Sequence, residues 1–144
     1  MTDEEMALQI LSTFPLFMHK VFHDFRHETG EYELNKTHMK TMMIIYMGDH
    51  PHMTHVCSHM NMEKGSLTPV IDSLIEAGLA ARMRNKEDRR KVNLSLTEKG
   101  RHLVVRNLRR AQEHILKKIG HLPEDMIDRF KRAVLDLHEI AQNL

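Results

Sequence analysis

The hydrophobic period of the chain changes from helical to strand-like after Gly78, and this change constrains the fold more than any other feature of the sequence. Apolar residues recur at helical spacing within residues 53–60 and again within residues 67–74. Beyond Gly78, apolar and polar residues alternate over residues 92–96, as in a half-buried strand. The sequence therefore predicts two short helices followed by a β-hairpin.

The junctions between these elements indicate how they are connected. Asn61 lies between the two helical patterns, and asparagine tolerates the left-handed backbone conformation used in tight turns between helices. The hairpin loop, NKEDRRK, is polar and mostly basic. Two short helices joined by a tight turn form a helix-turn-helix, and a hairpin directly behind it is a wing.

Four longer helical patterns flank this region. The first lies within residues 4–29 and contains Pro15, and the second runs from an N-cap at Asn35 to about residue 47. Thr97 is expected to cap the fifth helix, and Pro123 to occupy the first position of the last helix. The last helix is expected to bury an apolar stripe of Met126, Phe130, Ala133, Leu137 and Ile140. The predicted fold is mainly α with a small β-hairpin wing, in the order α-α-α-α-β-β-α-α.

Composition limits the class of protein. With 144 residues, 41% hydrophobic and 28% charged, the chain fits one soluble globular domain. No segment approaches the roughly 20 apolar residues that a membrane helix needs. The acidic N-terminus does not resemble a signal peptide, and a single cysteine suits a reducing cytoplasm. A cytoplasmic protein is therefore expected.

The net charge of +1 hides an uneven distribution. Residues 1–63 carry 4 Lys and Arg against 9 Asp and Glu, whereas residues 64–118 carry 14 against 6. A basic segment between acidic ones favours a polyanion-binding surface, although a basic run alone is more often a solvated face.

The segment EDRRKVNLSLTEKG, residues 87–100, resembles the wing signature of the MarR family of bacterial winged-helix regulators. The matching residues are Asp88, Arg90, Leu96, Thr97 and Gly100. Residues 62–82 are similar to the recognition helix and first wing strand of that family. The resemblance covers the whole chain in element order, and residues 53–100 in specific motifs.

The resemblance implies a homodimeric repressor that binds a palindromic operator in double-stranded DNA. Its single MarR-like domain would comprise dimerisation helices in residues 1–33 and 101–144 and a winged helix in residues 34–100. The apolar stripes of the terminal helices support dimerisation on physical grounds, because a small helix-turn-helix cannot cover all of them.

DNA contacts are expected from the recognition helix and the wing, because side chains early in such a helix reach base edges. The helix would contribute Lys64, Gly65, Ser66, Thr68, Pro69 and Ser73. The wing would contribute Arg84, Lys86, Arg89, Arg90 and Lys91. The resemblance assigns a wing arginine to the minor groove, where narrow DNA has enhanced negative potential, with Asp88 orienting Arg90.

An effector pocket is expected among adaptable apolar side chains between the first, second and fifth helices, with a small apolar or aromatic acid as ligand. The residues are Phe14, Phe17, Met39, Met42, Met43 and Tyr46. The recognition-helix letters GSLTP also resemble the branch of the family that senses organic hydroperoxides. That branch uses a cysteine in its first helix, which this chain lacks.

A metal-responsive regulator is the alternative, because the chain contains 12 histidines. His19, His23 and His27 are spaced for one helix face, and His55 and His59 are one turn apart, so either set could bind zinc or copper. His50 and His52 precede that second pair, and Cys57 falls on the apolar stripe, where cysteine behaves as a small hydrophobe. Exposed histidines on an ordinary scaffold remain the simpler interpretation.

No enzyme motif accompanies these features. The chain contains no GxSxG elbow, HExxH pair or glycine-rich phosphate loop. We expect neither catalysis nor a cofactor.

Overall fold

The computed structural model describes residues 1–144 and has the predicted element order. The helices are α1 (Asp3–Phe22), α2 (Lys36–Met47), α3 (Met53–Met60), α4 (Lys64–Glu76), α5 (Glu98–Ile119) and α6 (Glu124–Gln142). The strands are β1 (Ala80–Arg84) and β2 (Val92–Leu96). They pair antiparallel, with Ala80 opposite Leu96 and Arg84 opposite Val92. No helix is both long and apolar enough to cross a membrane.

The chain forms two compact units. One contains residues 1–25 and 110–144, and the other contains residues 26–109. The second unit holds α2, α3, α4, the hairpin and the first half of α5, and is called the winged-helix unit below.

Two local predictions about turns and caps are confirmed. Asn35 caps α2, accepting a hydrogen bond from the backbone N–H of His38, whose side chain in turn accepts one from the N–H of Asn35. Asn61 has φ +51° between α3 and α4, the left-handed conformation that the tight turn requires. The start of α2 and the turn between α3 and α4 therefore use the residues that the sequence identified.

The core of the winged-helix unit joins its helices to the hairpin. Leu67, Ile71 and Leu74 of α4 are fully buried, as is Leu94 of β2. They pack with buried side chains of α2, α3 and α5, namely Met39, Met42, Ile45, Met53, Val56, Leu103 and Val104. The apolar pattern within residues 67–74 therefore does form the buried face of α4.

The motif Leu-Thr-x-x-Gly, residues 96–100, connects the hairpin to α5. The Thr97 hydroxyl donates to the carbonyl of Gly78 at 2.6 Å and accepts from the N–H of Gly100 at 3.2 Å. Gly100 is buried, and a Cβ at this position would overlap the backbone carbonyl of Leu79. Only glycine lets α5 begin this close to the segment that follows α4.

The first helix is shorter than the pattern over residues 4–29 predicts. It contains Pro15 without interruption and ends at Phe22.

In the winged-helix unit, the buried side chain of Asn107 binds the backbone of Glu28, accepting from its N–H and donating to its carbonyl, each at 2.8 Å. This side chain replaces the helical hydrogen bonds that Glu28 would otherwise make.

The prediction that α6 buries its apolar stripe is wrong for the single chain. None of its residues is buried, and Met126, Leu137 and Ile140 are between 43% and 56% exposed. Phe130 makes a ring contact with Phe17 of α1, with centroids 5.4 Å apart. Pro123 is also the N-cap of α6 and not its first helical residue.

The other end of α1 is tied to α5 by polar contacts. His114 Nε2 lies 2.7 Å from the carbonyl oxygen of Val21, and Lys118 donates to Asp24 at 2.8 Å. The hydrogen bond from Lys118 holds the pKa of the Asp24 carboxyl below its ordinary value.

Candidate nucleic-acid interface

The outer face of α4 presents the side chains expected of a recognition helix. Lys64, Gly65, Ser66 and Pro69 are exposed, and Thr68 and Ser73 are half-buried. The helix remains α-helical through Pro69, so the local tightening that a proline suggests is absent. These residues therefore lie along one regular surface.

Thr68, one of the expected DNA contacts, has a hydroxyl group whose donor is already used within the helix. The hydroxyl hydrogen already bonds to the carbonyl of Lys64, at 2.7 Å. A hydroxyl has one hydrogen to donate, so in this conformation the Thr68 side chain offers only an acceptor and a methyl group. Lys64 and Ser66 are left as the exposed donors in the first turns.

The wing consists of β1, the loop of residues 85–91 and β2. Its five basic side chains are exposed and none forms an ion pair with a carboxylate: Arg84, Lys86, Arg89, Arg90 and Lys91. A cluster of unpaired cations on a projecting loop has a high affinity for phosphate.

The turn at the wing tip is organised by Asp88. The backbone N–H of Lys91 donates to the carbonyl of Asp88 at 3.0 Å, which places Arg89 and Arg90 at the corner. The Asp88 carboxylate accepts from the backbone N–H of Arg90 at 3.0 Å. No ion pair joins Asp88 to the Arg90 guanidinium, so any orienting effect acts through the backbone of the turn.

Sequence reasoning missed the side chains that support the wing from within. Asn85 accepts hydrogen bonds from the backbone N–H groups of Glu87 and Asp88, at 2.8 and 3.1 Å. Arg82 of β1 lies 2.6 Å from the carboxylate of Asp72 on α4. An asparagine before a charged loop is a recognisable turn signal, but nothing in the sequence pairs Arg82 with Asp72.

The predicted effector-pocket residues occupy different environments. Met39 and Met42 are in the core of the winged-helix unit, and Met43 and Tyr46 pack against that core. Tyr46 also lines a cavity of about 160 Å³, and the Arg101 guanidinium lies 5.5 Å from the centre of its ring. In the other unit, Phe14 is 43% exposed and Phe17 contacts Phe130.

The predicted triad of histidines on α1 does not form, because the helix ends before His27. His19 and His23 stack with ring centroids 5.3 Å apart, and His55 and His59 lie 4.4 Å apart. No group of three or more histidine, cysteine, aspartate or glutamate side chains is arranged to hold a metal ion. The metal-responsive alternative gains no support.

Comparison with known proteins identifies the family of this chain. A family model for the transcriptional regulators SarA and Rot matches residues 25–106, which include α2, the helix-turn-helix and the wing. The chain belongs to the SarA/Rot family. Family and fold are therefore those of winged-helix, DNA-binding transcriptional regulators and not of enzymes.

Two relatives of this SarA/Rot chain come from Bacillus subtilis strain 168. The uncharacterized HTH-type transcriptional regulator YpoP is 25% identical over 117 residues, covering 79% of this chain and 83% of YpoP. The organic hydroperoxide resistance transcriptional regulator is 31% identical over 70 residues, covering 47% of this chain and 48% of that protein.

Solved structures confirm the expected MarR-type fold of this SarA/Rot chain. Streptococcus pneumoniae FabT, solved in complex with DNA, has a TM-score of 0.68 and 20% identity, with 99% of each chain covered. The apo form of Escherichia coli MarR has a TM-score of 0.64 and 14% identity, with 95% of this chain and 97% of MarR covered.

Proposed function

We propose that this protein is a homodimeric transcriptional repressor that binds a palindromic DNA operator and is released by a small apolar or aromatic ligand. The observation that carries the DNA-binding part is the combination, within one compact unit, of an exposed recognition helix and a wing with five unpaired basic residues. A winged helix used only for protein contacts would need neither. The resemblance to FabT, which was solved with DNA, supports the same conclusion.

The recognition helix and the wing would have separate tasks. Lys64 and Ser66 lie at the start of α4, from which side chains reach major-groove base edges and phosphates. Exposed Gly65 has nothing within 4 Å of its Cβ position, so DNA can approach the helix backbone there. At the corner of the wing turn, Arg89 or Arg90 would enter the adjacent minor groove.

Dimerisation is supported by the apolar surface that the single chain leaves uncovered. On α1, Ile10, Leu11, Leu16 and Met18 are 49–74% exposed, and α6 has no buried residue. A second copy of the chain would cover both helices, and a two-fold dimer presents two equivalent winged helices. Two recognition helices about 34–36 Å apart would then enter successive major grooves.

Repression and its release are the remaining parts of the proposal. A dimer bound across a promoter excludes RNA polymerase by occupying the same DNA. A ligand that binds better to a dimer with another recognition-helix spacing would shift the population away from the DNA-binding state. Methionines and aromatic residues such as Met43 and Tyr46, which pack at the edge of the core, can rearrange around such a ligand.

The direct test is selection of DNA from a random library by the purified full-length protein. We expect a palindromic consensus and an affinity that falls steeply with salt, because phosphate contacts release counterions. A reporter promoter carrying this consensus should be less active when the protein is present. Failure to enrich any sequence, together with salt-independent binding, would contradict the proposal.

A further inference from the structure

The segment between α2 and α3 is joined to the wing through one side chain, that of Asn93 on β2. The Nδ2 group of Asn93 donates to the backbone carbonyl of His50 at 2.9 Å. Its Oδ1 atom lies 2.7 Å from Nδ1 of His52. Backbone contacts accompany these bonds: the N–H of Leu94 donates to the carbonyl of Pro51 at 2.9 Å, and His52 and Asn93 form a β-bridge.

The orientation of the Asn93 amide determines which tautomer of the His52 ring fits this contact. Because Nδ2 is the donor to His50, the atom that faces His52 is an acceptor, and His52 Nδ1 must carry a hydrogen. The same Oδ1 atom is 3.4 Å from Nδ2 of Asn85, whose own Oδ1 holds the wing turn. One amide therefore connects the start of α3 to the base of the wing loop.

The backbone at His50 is held in an unusual conformation for this contact. Its φ is +50°, which is uncommon for a residue other than glycine, and residues before proline ordinarily adopt extended conformations. Strained backbone persists only where surrounding contacts maintain it. Here the hydrogen bond from Asn93 to the His50 carbonyl is a contact that maintains this backbone.

We propose that His50, His52 and Asn93 form a latch that positions the wing relative to the helix-turn-helix, so that the wing and the recognition helix can engage DNA together. The latch explains why a half-buried asparagine occupies a strand position that the alternating pattern leaves for solvent. The proposal rests on the DNA contacts of the wing proposed above. His52 and Asn93 are positioning residues, and neither needs to touch DNA.

The latch itself can be tested without DNA. Asn93→Ala and His52→Ala should each raise the hydrogen-exchange rate of the Leu94 amide and of residues 85–91, by about tenfold if one hydrogen bond is lost. In both variants, the amides of Leu103 and Val104 in the core should exchange at the wild-type rate. The control variant is His55→Ala, which removes an exposed histidine of α3, and all of its amides should exchange at the wild-type rate. If the Leu94 amide exchanges at the wild-type rate in both Asn93→Ala and His52→Ala, the proposal is overturned.

A spectroscopic measurement reports on the same contact. The ¹⁵N shifts of the His52 ring should show a protonated Nδ1 in the wild type, and this preference should disappear in Asn93→Ala. A wild-type His52 ring protonated only on Nε2 would exclude the latch, whatever the variants do to stability.

The positioning role requires the effect on DNA binding to act through the wing. With a duplex selected by the wild-type protein, Asn93→Ala should weaken binding roughly five- to twentyfold. In the Arg90→Ala variant, Asn93→Ala should change the DNA affinity by less than about twofold. The contact between the wing and DNA is already absent there, so a misplaced wing has no further contact to lose. Additive losses would show that Asn93 acts through general stability and would overturn the positioning role.

A further outcome separates this proposal from the proposed function. If exchange at Leu94 rises in the latch variants while Arg89→Ala and Arg90→Ala both bind DNA normally, the wing does not contact DNA. The positioning role is then overturned, although the latch exists. His52→Ala keeps the experiment informative if Asn93→Ala does not fold, because it removes one hydrogen bond and no helix cap.

Discussion

The guanidinium of Arg82 lies 2.6 Å from the carboxylate of Asp72, which joins the first wing strand to the recognition helix. Both side chains are substantially exposed, so the ion pair contributes little to folding. Its position suggests another effect. Asp72 is the one acidic residue between Lys64 and Ile75 of the recognition helix, and a free carboxylate there would repel DNA phosphates.

The first prediction is that Arg82 compensates the charge of Asp72 during DNA binding. Arg82→Ala should lower the affinity for the selected duplex about two- to fivefold, the scale of one exposed charge pair. The double variant Asp72→Asn/Arg82→Ala should recover wild-type affinity, because the repulsive charge is then absent. Affinity that stays low in the double variant would mean that Arg82 contacts DNA itself.

The second prediction concerns the corner of the wing turn. Arg89→Ala and Arg90→Ala should each weaken DNA binding by about 1–3 kcal/mol if the residue enters the groove. A phosphate contact would instead reduce the salt slope by about one and weaken all sequences alike. The control is Lys40→Ala, an exposed cation on α2 outside the proposed DNA-binding and dimer interfaces. Unchanged affinity and salt slope in both wing variants would exclude the assignment.

The third prediction tests the steric role of Gly100. Gly100→Ala should lower the free energy of unfolding by about 1–3 kcal/mol, because its Cβ meets the rigid backbone of Leu79. Gly65→Ala is the control, since its Cβ would meet nothing, and it should raise stability by up to about 1 kcal/mol. Urea unfolding of the two variants measures both effects. Equal stabilities would contradict the close approach.

Local signals in the sequence predicted the elements and turns of the winged helix. Asn35 and Asn61 form a helix cap and a turn with residues a few positions away, and Gly100 is part of a recognisable motif. The roles of these three residues can therefore be predicted from the residues next to them in the sequence. Asn93 and Asn107 bind backbone groups 43 and 79 positions away. Their partners become apparent only once the chain is folded, and a polar residue in an amphipathic pattern otherwise indicates a solvent-facing side chain.

The exposed side chains of the proposed DNA-contact surface were more predictable than the supports beneath them. Basic letters at the wing tip identify exposed cations without further information, whereas the donor in the Thr68 hydroxyl is used by its own helix at Lys64. The stripe on α6 shows a different limit. Its apolar spacing predicts burial, but the single chain does not contain the surface that would cover Leu137 and Ile140.

The fourth prediction is therefore that α6 forms part of the dimer interface. Leu137→Glu should weaken dimerisation at least about tenfold, because a charge would replace an apolar contact. Glu139→Gln, at an exposed polar position two residues further along α6, should not. Sedimentation at several concentrations measures the equilibrium between monomer and dimer.

Deleting residues 124–144 should likewise give aggregated or monomeric protein that no longer binds the palindrome. A folded, fully active monomer would contradict the proposal.

The fifth prediction concerns the signal that releases DNA. A small apolar or aromatic acid should lower operator affinity, because Met43 and Tyr46 at the edge of the core can adapt to a ligand that favours another recognition-helix spacing. Operator affinity should be measured across a panel of such acids and, separately, with zinc. Met43→Ala and Tyr46→Ala should change the response to an active acid while leaving ligand-free DNA binding intact.

The zinc measurement distinguishes this mechanism from one based on the histidine pairs. The pairs His19/His23 and His55/His59 each provide two imidazoles at most, whereas structural zinc sites ordinarily use four ligands. We therefore expect zinc at micromolar concentration to leave operator affinity unchanged. If only zinc alters binding, and His55→Ala or His23→Ala abolishes that effect, the apolar-ligand proposal fails, because the signal then acts through a histidine and not through the apolar side chains Met43 and Tyr46.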